Sequence, residues 1–151
     1  SLQAGNLSVR QARRVLITRT GARLDRLGPQ DVVETWLDPG RPRHPRASME
    51  LPAHLAIYAA GEARAVLHAH PPAAIALSLS AQAFVPVDAE GAVLLGAVPV
   101  IRLAQTVASS AVGEQAGKLL ATRPVVLVGG HGSFAAGASR VGENSFAALV
   151  E

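Results

Sequence analysis

The 151-residue sequence predicts a mixed α/β layer architecture in a single domain. Three observations carry that expectation. Short apolar runs come in adjacent pairs that read as hairpins, and other runs are separated by segments of helical periodicity. The composition is that of a chain with a core, with 49% hydrophobic and 17% charged residues. A charge-rich disordered chain is excluded, and no apolar run reaches the ~18 residues that a membrane helix needs.

Gly5–Arg10 reads as a strand, and Arg14–Thr18 as its hairpin partner, closed by a turn at Thr20-Gly21. Pro29-Gln30-Asp31 predicts a short helical turn and Val32–Leu37 a third strand. Asp38–Ala47, with three prolines and three arginines, predicts an exposed loop. A helix is expected from Met49 to about Gly61. Ser48 would be its N-cap and Glu50 would sit in the first turn, where a carboxylate suits the helix dipole. Leu51, Leu55, Ile57 and Tyr58 give that helix its apolar stripe.

Ala65–His70 predicts a strand, stopped by Pro71-Pro72, which start a helix through about Ser80. Two extended stretches follow near Ala83–Val87 and Val98–Ile101. Gln105–Ala121 predicts a long helix with Val107, Val112, Ala116, Leu119 and Leu120 facing inward. Val125–Gly129 and Ser133–Ala136 flank Gly130-His131-Gly132 as a hairpin, and Ser139 caps an expected last helix. Hairpins mixed with helical crossovers argue against an alternating, all-parallel sheet.

The net charge is +3 and the pI near 10.5, but 13 of the 14 basic residues are arginine. Arginine stays charged at any accessible pH and inflates the pI. The arginines are dispersed and aromatics are only 3%, too few for base-stacking platforms, so nucleic-acid binding is not expected. No membrane association is expected either. Cysteine is absent, so a metal site must be built from His, Asp or Glu.

His68-Ala69-His70 is the sharpest feature. Alternation on a strand puts both imidazoles on one face, about 7 Å apart along the chain, within reach of one divalent ion. Taken alone, the pair reads equally as two satisfied core histidines. His131, between two glycines after an apolar strand, is either a turn residue or a third ligand. Three neutral imidazoles with open positions form a catalytic, zinc-type shell. Glu50 is either a surface carboxylate at a helix start or a general acid/base beside such a site. His54, four residues on, shares its face and reads as a support that orients Glu50 by a hydrogen bond, or as a packed helix histidine, rather than as a metal ligand. His44 reads as a loop residue. Gly5-Asn6, Ser8, Thr20-Gly21 and Ser48 are ordinary turn and cap chemistry, or together a cradle for a phosphate. Neither a P-loop nor a dinucleotide fingerprint is present.

Gly5-Asn6-Leu7-Ser8, Thr18-Arg19-Thr20-Gly21, Ser48-Met49-Glu50 with His54, Val66-Leu67-His68-Ala69-His70 and Gly130-His131-Gly132 occur in that order. In this combination the chain resembles the class II aldolase/adducin-head family over essentially its whole length. The resemblance implies a three-layer α/β/α sandwich around a mostly antiparallel, mixed central sheet. It also implies one class II aldolase-like domain over 1–151, with family residues continuing beyond both ends. His68, His70 and His131 would bind one divalent metal, usually Zn2+. Glu50 would be the catalytic acid/base, and Asn6, Thr20, Gly21 and Ser48 would hold the substrate phosphate.

The expected reaction is retro-aldol cleavage of a small phosphorylated ketose through an enediolate, in a cytoplasmic homo-oligomer, typically a tetramer. The alternatives are a methylthioribulose-phosphate-type dehydratase or a 4-epimerase on the same fold, or a non-catalytic adducin-like module. Two departures bear on that choice. Met49 stands where the aldolases usually carry a second serine, and the region around Val85–Leu95 lacks the tyrosine that such aldolases use as a proton donor. The related epimerases usually carry Asp in place of Glu50.

Overall fold

A computed structural model describes residues 4–137. Eight strands form one mixed sheet: β1 (Gly5–Gln11), β2 (Arg14–Thr18), β3 (Val32–Trp36), β4 (Ala65–Ala69), β5 (Ala83–Phe84), β6 (Val98–Ile101), β7 (Val125–Val128) and β8 (Gly132–Gly137). Their spatial order is β3-β2-β1-β4-β8-β7-β6-β5. Every neighbouring pair is antiparallel except β6 and β7. The helices are α1 (Leu51–Ala60), α2 (Pro72–Ser78), α3 (Ala89–Leu94) and α4 (Ser110–Leu120). This is the α/β sandwich with a mostly antiparallel sheet that the sequence implies.

Local hairpins account for β1–β2 and β7–β8, as the paired apolar runs and intervening turns predict. The central joins are non-local. β4 lies between β1 and β8, with Asn6 opposite His68 and His68 opposite Phe134.

The main core lies where α1 and α4 cover the sheet. Val15, Ile17, Val66, Val126, Val128 and Phe134 from the strands meet Leu51, Ile57, Val112 and Ala116 from the helices. The two helices touch almost backbone to backbone. A Cβ at Gly113 would sit 2.3 Å from the Ala53 carbonyl oxygen, so any larger residue there would push α4 away. A smaller cluster, Val9, Leu16 and Val32, packs separately. No helix among the described residues is long and apolar enough to cross a membrane.

Four expectations are corrected. The α1 helix begins at Leu51, with Glu50 rather than Ser48 at the N-cap position. Ser48 Oγ accepts instead from the Glu50 N–H, a turn just ahead of the helix. The α4 helix begins at Ser110, because Ser109 Oγ caps the Val112 N–H. Residues 105–109 are therefore a loop, and Val107 is exposed instead of facing inward. The stretch near 83–87 yields only two strand residues, since Pro86 lacks the donor that a ladder needs. Asp88 then caps α3, a helix the periodicity did not signal, by accepting from the Gly91 N–H. The helix expected from Ser139 lies outside the described residues.

Candidate functional site

His68 and His70 leave the end of β4 on one face, as strand alternation requires. The tight β7–β8 turn brings His131 beside them. The turn works because Gly130 takes φ +70°, a left-handed conformation that costs glycine little. A Cβ at Gly132 would lie 2.4 Å from the Ala69 carbonyl oxygen and 2.7 Å from His70 Cδ2. The glycines flanking His131 thus let its strand close onto the other two imidazoles.

One ligand nitrogen from each of His68, His70 and His131 lies within 4.8 Å of the other two. The ring centroids are 4.6 Å apart for His68–His70, 4.8 Å for His68–His131 and 5.1 Å for His70–His131. His68 Nδ1 is 2.9 Å from the Ser133 carbonyl oxygen, which can only accept, so Nδ1 carries the proton. The Nε2 lone pair then faces His70 Nε2, 2.8 Å away. A carbonyl partner that fixes the tautomer in this way is characteristic of imidazole ligands. Burial pushes the His68 pKa down to about 3, with the other histidines adding to the shift. Burial, followed by the neighbouring His131, lowers His70 as well. Both rings are therefore neutral near pH 7, the form that coordinates a metal. Phe134 stacks on His68 at 4.3 Å and backs the cluster with an apolar wall.

Glu50 approaches from the start of α1. Its Oε1 is 3.8 Å from His131 Nε2 and accepts from the Ala108 N–H at 3.1 Å. Ala108 holds φ +52°, an unfavourable conformation for alanine, at the point where its amide meets this carboxylate. Two buried polar atoms have no partner among the described residues, Glu50 Oε2 and His131 Nδ1. Orphaned buried groups are rare in folded proteins, and two converging on one cleft mark a place where a ligand or ion belongs. Three clustered imidazoles, a fixed tautomer at His68 and these orphans fit a divalent cation.

The cleft beside this cluster has a volume of about 380 Å3, and its walls include Asn6, Thr20, Gly21, Ser48, Glu50, His70 and His131. The residues expected to hold phosphate thus open onto the same space as the histidine cluster. Thr20 donates its hydroxyl to the Ala47 carbonyl, and Ser48 Oγ accepts from the Glu50 N–H.

Of the two readings of His54, the packed helix histidine holds. Its ring nitrogens go to Ser8 Oγ and Asn6 Oδ1, so its side chain supports the Asn6 wall of the cleft instead of orienting Glu50. Its position on α1 turns it toward β1. His44 is a loop residue, as read, with Nδ1 accepting from the Arg46 N–H. Sequence reasoning gave no role to Arg19, which also lines the cleft, its guanidinium 2.7 Å from Asp31. The available signal was its place inside Thr18-Arg19-Thr20-Gly21. Met49 and Val107 supply an apolar edge.

Comparison with known proteins agrees with this geometry. Residues 1–145 match the family profile described as "Class II Aldolase and Adducin N-terminal domain". The fold superposes on the L-fuculose-1-phosphate aldolase of Thermus thermophilus with a TM-score of 0.85 and 37% identity, covering 92% of this chain and 70% of that one. Two shorter sequence matches concern other reactions. A 3,4-dihydroxyphthalate decarboxylase of Rhodococcus jostii is 39% identical over 89 residues, which is 55% of this chain and 37% of that protein. A methylthioribulose-1-phosphate dehydratase of Acidiphilium cryptum is 45% identical over 84 residues, 51% of this chain and 38% of that protein. The matched segments thus span less than two-fifths of either relative.

Proposed function

We propose, from the premise that this chain belongs to the class II aldolase and adducin N-terminal domain family, that it is a metal-dependent lyase. Its reaction is the cleavage or formation of a carbon–carbon bond in a small phosphorylated ketose. The observation that carries this reading is the convergence of His68, His70, His131 and Glu50 on the cleft that Asn6, Thr20, Gly21 and Ser48 also line.

His68, His70 and His131 would hold one divalent cation, with Zn2+ favoured by an all-imidazole set. When bound, that ion supplies Lewis acidity toward the carbonyl and adjacent hydroxyl oxygens of a substrate. Glu50 moves a proton to or from the carbon next to that carbonyl. Its Oε1 is held by the Ala108 N–H, which leaves the unpartnered Oε2 as the oxygen available for that transfer. Asn6, Thr20, Gly21 and Ser48 position the phosphate, and Arg19 adds a fixed positive charge on the same wall. The apolar edge and the glycine turn limit water beside the imidazoles.

A second reading on the same residues is dehydration, and a specific observation favours it. The only tyrosine of the chain, Tyr58, is buried on α1 against Ser8 and is not in the cleft, and Met49 replaces a hydroxyl there. An aldol cleavage thus lacks a visible second proton donor among the described residues. The likeness to a methylthioribulose-1-phosphate dehydratase points the same way.

Product analysis with a panel of ketose 1-phosphates decides between them. An aldehyde plus dihydroxyacetone phosphate establishes cleavage, and a dehydrated ketose phosphate establishes the second reading. Purified protein that holds no metal and turns over none of the panel is instead a non-catalytic module.

The exposed apolar residues Leu77, Leu79, Val85, Val87, Val93 and Leu94 suit burial against further copies of the chain. A homotetramer is expected and is read by light scattering. A cytoplasmic location is expected with a sugar-phosphate substrate and is read by cell fractionation.

A further inference from the structure

The mechanism leaves one buried polar constellation unused. Ser8 on β1 faces His54 and Tyr58, which stand four residues apart on one side of α1. Ser8 Oγ is 2.7 Å from His54 Nδ1 and 2.7 Å from the Tyr58 hydroxyl. His54 Nε2 is 2.6 Å from Asn6 Oδ1. None of the four is more than 6% exposed. Arg10 packs over the Tyr58 ring at 5.6 Å and hydrogen-bonds to the Tyr58 carbonyl, while the Tyr58 hydroxyl meets the Val66 backbone N–H, which can only donate and so leaves the hydroxyl proton for Ser8.

The proton inventory gives this chain of contacts a direction. Complete burial keeps His54 neutral, its pKa lowered to about 3, so the ring has one N–H and one lone pair. Asn6 Oδ1 can only accept, so Nε2 carries the proton. Nδ1 must then accept, and Ser8 supplies that proton. Ser8 has a single O–H, so its oxygen accepts in turn from Tyr58. The bonds run one way: Tyr58 to Ser8, Ser8 to His54, His54 to Asn6.

We infer that Tyr58, Ser8 and His54 are positioning residues that fix the polarity of the Asn6 amide, engaging its carbonyl inward and presenting its N–H2 to the cleft. Reversed, Asn6 would offer an anion a carbonyl oxygen. The wire therefore decides whether this wall of the cleft attracts or repels a phosphoryl or other anionic group. The inference rests on the reading of the cleft as the phosphate site.

Two measurements on the purified protein test it. The first is the tautomer of His54, read from long-range proton–nitrogen correlations of 15N-histidine-labelled protein. Only five histidines contribute, and His54→Gln assigns the signal. The Nε2–H tautomer is expected; the Nδ1–H tautomer overturns the inference, because Asn6 would then have to donate inward.

The second is the affinity for inorganic phosphate by calorimetry. Ser8→Ala leaves Nδ1 without its donor and is expected to weaken phosphate about tenfold, the scale of one buried hydrogen bond. His54→Gln keeps one donor and one acceptor and is expected to stay within about threefold of the wild type. A wild-type phosphate affinity in Ser8→Ala, with Asn6→Ala weakened, overturns the wire alone. A wild-type affinity in Asn6→Ala itself overturns the phosphate reading. A merely structural role for Ser8 would lower the melting temperature and leave phosphate binding where it was.

Discussion

His68 donates from Nδ1 to the carbonyl oxygen of Ser133 at 2.9 Å, across the β4–β8 ladder. This single bond orients the most buried imidazole of the cluster and turns its lone pair toward His70 and His131. It also makes the candidate metal site depend on strand register: a slip of one residue would carry His68 to the other face of the sheet.

Replacing His68, His70 or His131 by alanine is expected to abolish tight metal binding. The loss should exceed the roughly 10–100-fold that outer partners of a metal site contribute. Elemental analysis of the three purified variants checks this. Undiminished metal in all three would show that the histidines do not form the site.

Glu50→Gln keeps the size of the side chain and the acceptor for the Ala108 N–H, but removes the proton-transfer group. Metal content should stay at the wild-type level while kcat falls about 10^2–10^4-fold, the usual worth of a positioned acid/base. A variant with both metal and near-wild-type turnover removes Glu50 from the mechanism.

Gly132→Ala places a methyl group 2.4 Å from the Ala69 carbonyl oxygen, so the β7–β8 turn must move away from β4. A destabilisation of ~1–3 kcal/mol is expected from overpacking of this kind. Metal affinity should weaken with it, since His131 rides on the same turn. Urea unfolding and a competitive chelator titration read the two effects, and a variant unchanged in both contradicts the argument.

Acid should destabilise the metal-free protein through His54. Unfolded, this histidine titrates near 6.5; folded, burial lowers it to about 3. Between those values only the unfolded chain takes up the proton. Its contribution to stability is therefore complete above about pH 6.5 and is lost progressively as pH falls toward 3, by up to ~1.4 kcal/mol per pH unit. Urea midpoints at pH 7 and pH 5 should differ more for the wild type than for His54→Gln. Equal differences in the two proteins would mean that His54 is not the group responsible.

Much of the fold was legible because its signals are local. Short apolar runs marked β1, β2, β4 and β7, and Pro71-Pro72 marked the β4–α2 boundary. The less legible elements depend on single polar atoms. Ser109 and Asp88 chose the starts of α4 and α3 through caps on Val112 and Gly91, and neither cap leaves a periodic trace. His54 shows the same limit: helical spacing relative to Glu50 was visible, but its true partners lie 46 and 48 residues away on β1. Arg19 was overlooked because a lone arginine in a turn looks like any other surface charge.

The sequence by itself determined the chemistry available to this protein. Without cysteine, a metal site has to use imidazole or carboxylate, and period-two alternation alone puts His68 and His70 on one face. Tertiary structure decided what that chemistry meets. The pairing of β4 with β1 and β8 sets Asn6 opposite His68 and closes the His131 turn onto the pair, and the packing of α1 swings Glu50 to His131. Those contacts join residues far apart in the chain, and their register is selected by the burial of a shared core rather than by any neighbouring residues.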